Sequence, residues 1–234
     1  MDFSHIDIVS VVFKMIAFIF AISVHESAHA WTANRCGDPT ARMLGRISLN
    51  PVVHIDPIGT ILMPLIALTS HLPTIGWAKP TPVDPSNFRH KVKDDILTSV
   101  AGPISNVIIA ISAIIMLFVI SRSSVEGRGL VTSMPFTYEK GFAAMGGSSA
   151  LVPITFFFYE TVRINIILAV FNLIPVPPLD GSHVLRHFLS DSVRRIYDSV
   201  GMFALLALVF LGGGLLWRVI SPFIHRFDGL IVKF

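Results

Sequence analysis

The chain has 234 residues, 53% of them hydrophobic and 14% charged, with a mean hydropathy of +0.70. Soluble domains carry about 25% charged residues, so this is the composition of an integral membrane protein. A net charge of +3 gives no footprint for a nucleic-acid partner, and the single cysteine, Cys36, excludes an internal disulfide framework and any multi-cysteine zinc site.

In chain order, the first apolar run, 8–33, is about 26 residues long, enough to cross a hydrocarbon core of about 30 Å. It is too long for a signal-peptide core and has no basic segment before it. Lys14 lies in its first third, where its stem can snorkel to the nearer surface. Its last third carries Val24-His25-Glu26-Ser27-Ala28-His29-Ala30. On a helix, His25 and His29 project from one face, one turn apart. Two imidazoles so placed can share one Zn²⁺, with Glu26 beside them as a base for water. Ionisable groups inside a span are costly and are kept for function.

The segment 34–56 is polar and contains Arg35, Arg42 and Arg46. Asp38-Pro39 marks a turn, and 42–49 has strand character before Asn50-Pro51 ends it. The apolar segment 57–77 is interrupted by Pro57, Gly59, Pro64, Pro73 and Gly76, and 79–95 is polar again, with Lys79, Arg89, Lys91 and Lys93. Basic residues on both flanks predict that 57–77 dips into the membrane and returns on the same side. Proline-broken backbone at that depth needs a cover of protein or water.

A second span, 96–121, is followed by a Gly- and Ser-rich connection, 122–150, and a third span, 151–172. The third contains Glu160 and Arg163, whose spacing suits a mutual ion pair. A Pro-rich break, 173–181, and a basic stretch with Arg186, Arg194 and Arg195 lead to a last span, 200–220. The expected fold is therefore an all-α integral membrane protein, 1–234 in a single domain. It has about four transmembrane helices, plus a re-entrant, strand-like segment between the first two. Basic loops place the active site toward the cytoplasmic side of the cell membrane and the termini outside.

A zinc hydrolase needs three protein ligands and an open position. Asp180, in Pro175-Val176-Pro177-Pro178-Leu179-Asp180-Gly181, shares the expected side and depth of the His pair. The prolines prevent a regular helix there, so the carboxylate is presented from extended backbone.

Taken together, these residues resemble the site-2 protease family of intramembrane zinc metalloproteases, peptidase family M50, in its short form without a PDZ domain. The similarity covers nearly the whole chain. It rests on His25-Glu26-Ser27-Ala28-His29, on Gly45-Arg46-Ile47-Ser48-Leu49-Asn50-Pro51 with His54-Ile55-Asp56-Pro57-Ile58-Gly59, on Gly76-Trp77-Ala78-Lys79-Pro80, on Ala101-Gly102-Pro103-Ile104-Ser105-Asn106, and on 172–181. The resemblance implies one Zn²⁺ per chain held by His25, His29 and Asp180, with Glu26 as general base. It implies a transmembrane protein or peptide as substrate, cut within or next to its span in the lipid bilayer, and leaves the oligomeric state open.

Asn106 and Asn172 are candidates for binding substrate backbone or supporting the oxyanion. His54 is a candidate for a supporting role behind the metal, against the plainer reading of a loop anchor. The strand-like 42–49 segment is expected to hold unwound substrate by edge pairing. The alternative function is an intramembrane zinc or proton-coupled transporter, disfavoured by the small chain and the lack of a repeated half.

Overall fold

The computed structural model describes residues 7–64, 66, 76–145 and 149–234. Among these there is no strand; the architecture is all-α. Its helices are α1 (Ile8–Cys36), the single turn α2 (Thr40–Met43), α3 (Lys91–Ser123), α4 (Val125–Thr137), α5 (Leu151–Asn172), α6 (Asp180–Arg186), α7 (Asp191–Phe210) and α8 (Gly213–Ile231).

Local chemistry explains the boundaries. The Asp7 carboxylate accepts the Ser10 N–H at 3.1 Å and its hydroxyl at 2.7 Å, capping the start of α1. At the other end Gly37 takes φ +115, and the Asp38 N–H returns to the Ala33 carbonyl at 2.9 Å, a glycine-terminated helix end. Asx-Pro pairs start the next turns. Asn50 caps Pro51–Val53, Asp56 caps the wide turn Pro57–Leu62, and Asp84 caps Pro85–Asn87, each with proline at the first helical position.

Helices α1, α3 and α5 are each long and apolar enough to cross a membrane. The expected fourth span, 200–220, is not one straight helix. It is divided between α7 and α8, bent by 77° at Leu211 and Gly212. The run Gly212-Gly213-Gly214 supplies the cause, since glycine is the weakest helix former after proline. Among the described residues there are therefore three helices able to cross a membrane, or up to four if the bent pair counts as one span.

The strand-like reading of 42–49 is corrected. Asp38 binds the N–H and hydroxyl of Thr40, which starts the turn α2, and Gly45 at φ +69 reverses the chain behind it. No hydrogen-bonded ladder partner exists there among the described residues, so no strand edge is available to pair with a substrate.

The middle of the expected re-entrant segment, 67–75, lies outside the described residues. Its two flanks, however, are tied together. Trp77 donates its N–H to the Gly59 carbonyl at 3.1 Å and accepts from the Thr60 hydroxyl at 2.8 Å, and the Lys79 N–H meets the His54 carbonyl at 2.8 Å. Trp77 lies flat against Gly59, where any Cβ would stand 2.3 Å from the indole. Gly59 and Trp77, near the two ends of the segment, are therefore adjacent.

By internal packing the chain divides into two compact units. One comprises 1–21, 107–167 and 220–234 and is built on buried aromatic and aliphatic side chains such as Phe156, Tyr159, Leu117 and Met134. The expected Glu160–Arg163 ion pair is replaced there by other partners: Glu160 accepts the Tyr138 hydroxyl, and Arg163 pairs with Glu139 at 3.3 Å while lying 4.3 Å over the Tyr138 ring. The other unit comprises 22–106 and 168–219 and contains every residue discussed next.

Candidate metal centre

The His pair of α1 is held from behind. The His25 Nδ1–H donates to Asn106 Oδ1 at 2.6 Å, and the His29 Nδ1–H donates to the Thr98 carbonyl at 2.7 Å. A carbonyl can only accept, so the His29 proton sits on Nδ1; the amide oxygen fixes His25 in the same tautomer. Both Nε2 lone pairs therefore face forward. They stand 3.0 Å apart, on rings that are both buried.

Asp180 closes the group from the start of α6. Leu179 is extended (φ −70, ψ 155), and the prolines before it keep 175–179 out of a helix. Two glycines let this turn approach closely: a Cβ on Gly181 would meet the Leu173 carbonyl at 2.3 Å, and one on Gly201 would meet Pro177 at 2.3 Å. Asp180 Oδ2 lies 3.2 Å from His25 Nε2, and Oδ1 lies 3.4 Å from His29 Nε2.

These distances test the fit of a metal directly. Ligands about 2.0–2.1 Å from a tetrahedral Zn²⁺ lie about 3.3 Å from one another. The three separations of 3.0, 3.2 and 3.4 Å bracket that value. The donor set agrees, since two neutral imidazole lone pairs and a carboxylate converge on one point. Asp180 Oδ2 is buried with no hydrogen-bond partner. Converging acceptors with no donor between them are costly without a cation. Among the described residues, His25, His29 and Asp180 are the group of His, Cys, Asp or Glu side chains close enough to hold a metal.

A further residue shapes the space. A Cβ on Gly102 would stand 2.4 Å from His29 Nε2 and 2.5 Å from His25 Nε2. Helix α3 therefore passes the ligand atoms with bare backbone, and any side chain at 102 would enter the space they enclose.

The other sequence-predicted residues sit elsewhere. Asn106 is fully buried behind His25, and its Oδ1 accepts from that ring. Asn172 donates Nδ2–H back to Leu168 at 3.0 Å in its own helix. His54 is fully buried and donates Nε2–H to the Ser48 carbonyl at 2.8 Å, anchoring the loop rather than a metal ligand. Glu26 is half-buried beside the pair, and its Oε2 accepts the Thr81 N–H at 2.8 Å. Sequence motifs alone gave no role to Gly102, Thr98 or Thr81. They also missed the 2.7 Å contact of His187 Nε2 with Asp95, which ties the far end of α6 to α3. Two of these contacts run through backbone atoms, which side-chain chemistry does not advertise.

The sequence matches the family model described as Peptidase family M50 over residues 13–212. It is 32% identical over 214 residues to YwhC of Bacillus subtilis strain 168, covering 89% of this chain and 86% of the relative. It is 23% identical over 209 residues to Rip2 of Mycolicibacterium smegmatis, covering 89% and 67%. Both relatives carry the name "putative zinc metalloprotease". No solved structure matches the chain significantly.

Proposed function

From a chain that belongs to peptidase family M50, with Zn²⁺ as its cofactor and several helices able to cross a membrane, we propose an intramembrane endopeptidase that cuts transmembrane substrates within or next to their span. The observation that carries this reading is the convergence of Asp180 on His25 and His29, two residues of a helix long and apolar enough to cross a membrane. His25 lies 11 residues from the end of α1, about 16 Å along the helix axis. We assign His25, His29 and Asp180 as zinc ligands and Glu26 as general base. Bound there, Zn²⁺ supplies Lewis acidity, polarising the scissile carbonyl and making water acidic near neutral pH.

The chain's own residues do the rest. Asn106 and Thr98 fix the tautomers that present Nε2. Glu26, with Oε2 engaged by Thr81, has Oε1 to take a proton from the attacking water and return it to the leaving amine. A helical substrate hides its carbonyls in hydrogen bonds, so it must unwind before attack. The basic loops 34–56, 79–95 and 173–199 orient the site toward the cytoplasmic face of the cell membrane and the termini outward.

The test is cleavage of single-span peptides by purified, zinc-loaded protein in detergent and in liposomes. Cuts mapped by mass spectrometry should fall within or beside the apolar segment. Cutting confined to soluble peptides, or zinc flux without cleavage, would overturn the proposal. Cysteine labelling near Arg42 and Arg89 checks the orientation, since both positions should react from the cytoplasmic face.

A further inference from the structure

We infer that Thr81 is a positioning residue: it clamps the Glu26 carboxylate through its backbone, an inference that rests on the reading of Glu26 as general base. From Trp77 to Thr81 the backbone is bonded inward at every second residue. Trp77 N–H meets the Gly59 carbonyl, Lys79 N–H meets the His54 carbonyl, and Thr81 N–H meets Glu26 Oε2. A two-residue step is the signature of extended backbone. The carbonyl of Lys79 is also taken, by Arg46 at 3.4 Å, and the end of the strap is pinned where Asp84 N–H donates to Asp38 at 2.8 Å.

Proline stands on both sides of Thr81. In Pro80-Thr81-Pro82 the flanking residues have no N–H, so Thr81 offers the only backbone donor of the three, and both neighbouring φ angles are fixed. The Thr81 hydroxyl makes a second bond to the same residue, donating to the Glu26 carbonyl at 3.0 Å. Glu26 is thus gripped at backbone and side chain by one residue of a strap tied down on either side. A long carboxylate at the edge of a helix would otherwise sample several rotamers. Binding Oε2 selects one of them and directs Oε1, which is the pre-organisation a base requires.

The experiment combines a variant series with amide exchange, using full-length zinc-loaded protein and a single-span peptide that the wild type cuts. Thr81→Pro deletes the N–H, Thr81→Val deletes only the hydroxyl, and Thr81→Ser retains both. Expected kcat falls about 100-fold for Thr81→Pro, less for Thr81→Val and not for Thr81→Ser, with KM and zinc content unchanged. Independently of turnover, exchange of the Thr81 amide should speed up about tenfold in Glu26→Ala. Wild-type kcat in Thr81→Pro, parallel loss of zinc and activity in Thr81→Pro and Thr81→Val, or unchanged exchange in Glu26→Ala would overturn the clamp. If Thr81→Pro does not fold, the Val and Ser variants and the exchange rate decide. A Glu26→Gln protein that still cuts would instead remove the general-base reading itself, whereas an inactive Glu26→Gln beside a fully active Thr81→Pro removes the clamp alone.

Discussion

Two regions of this molecule bury ionisable groups among apolar side chains, and they do so in opposite ways. Around Tyr138 and Tyr159 every charge is answered: Glu160 has the Tyr138 hydroxyl, Asp228 has the Tyr159 hydroxyl at 2.5 Å, and Arg163 has Glu139 and two ring faces. At His25, His29 and Asp180 the donors are turned away, onto Asn106 and Thr98, and acceptors are left facing one another. The first arrangement is what a stable membrane protein needs. The second is costly unless a cation completes it. Burial of charge alone does not mark a site; burial of converging, unanswered acceptors does.

The contrast can be broken by experiment, and the largest effect is expected at Glu26, the proposed base. Glu26→Gln should cut kcat by about 10³-fold, within the range general bases supply, and should leave one Zn²⁺ bound per chain. Mass spectrometry of cleavage products and metal analysis on the same sample check both halves. Next comes Gly102→Ala, whose new methyl would press on both Nε2 atoms; most of the zinc should be lost. Gly129→Ala, with no atom within 4 Å of the new Cβ, should lose none.

Support of the ligands should matter less than the ligands themselves. Asn106→Ala frees the His25 ring and should weaken zinc binding about 10–100-fold, read by competition with a chelator. The smallest effect on metal is expected in the satisfied cluster. Glu160→Leu leaves the Tyr138 hydroxyl without its acceptor and should destabilise the protein by about 1–3 kcal/mol, with zinc affinity unchanged. Loss of zinc in Glu160→Leu would erase the distinction between the two regions.

Much of this was legible in the sequence, and the residues show why. His25 and His29 announce themselves through helical spacing, and Asp180 through a proline run that only a helix break tolerates. Spans α1, α3 and α5 follow from long apolar runs. The last span misled because hydropathy is blind to backbone geometry, and three consecutive glycines bend the chain inside an apolar stretch. Segment 42–49 alternates like a strand, but a strand needs a ladder partner, and Asp38 with Gly45 commits the chain to turns first. Asn106 was visible as an amide near a span, but its direction toward His25 is set by tertiary packing. Gly102 and Thr81 act through a missing side chain and a backbone N–H, which residue chemistry alone does not reveal.

The central claim is that two imidazoles and one carboxylate hold the zinc. X-ray absorption at the zinc edge of the purified protein tests it most directly. The account predicts one Zn²⁺ per chain with two imidazole nitrogens and oxygen ligands at about 2.0–2.1 Å, and loss of the metal in Asp180→Ala. A third imidazole, a sulfur at about 2.3 Å, or an unchanged spectrum in Asp180→Ala would contradict it.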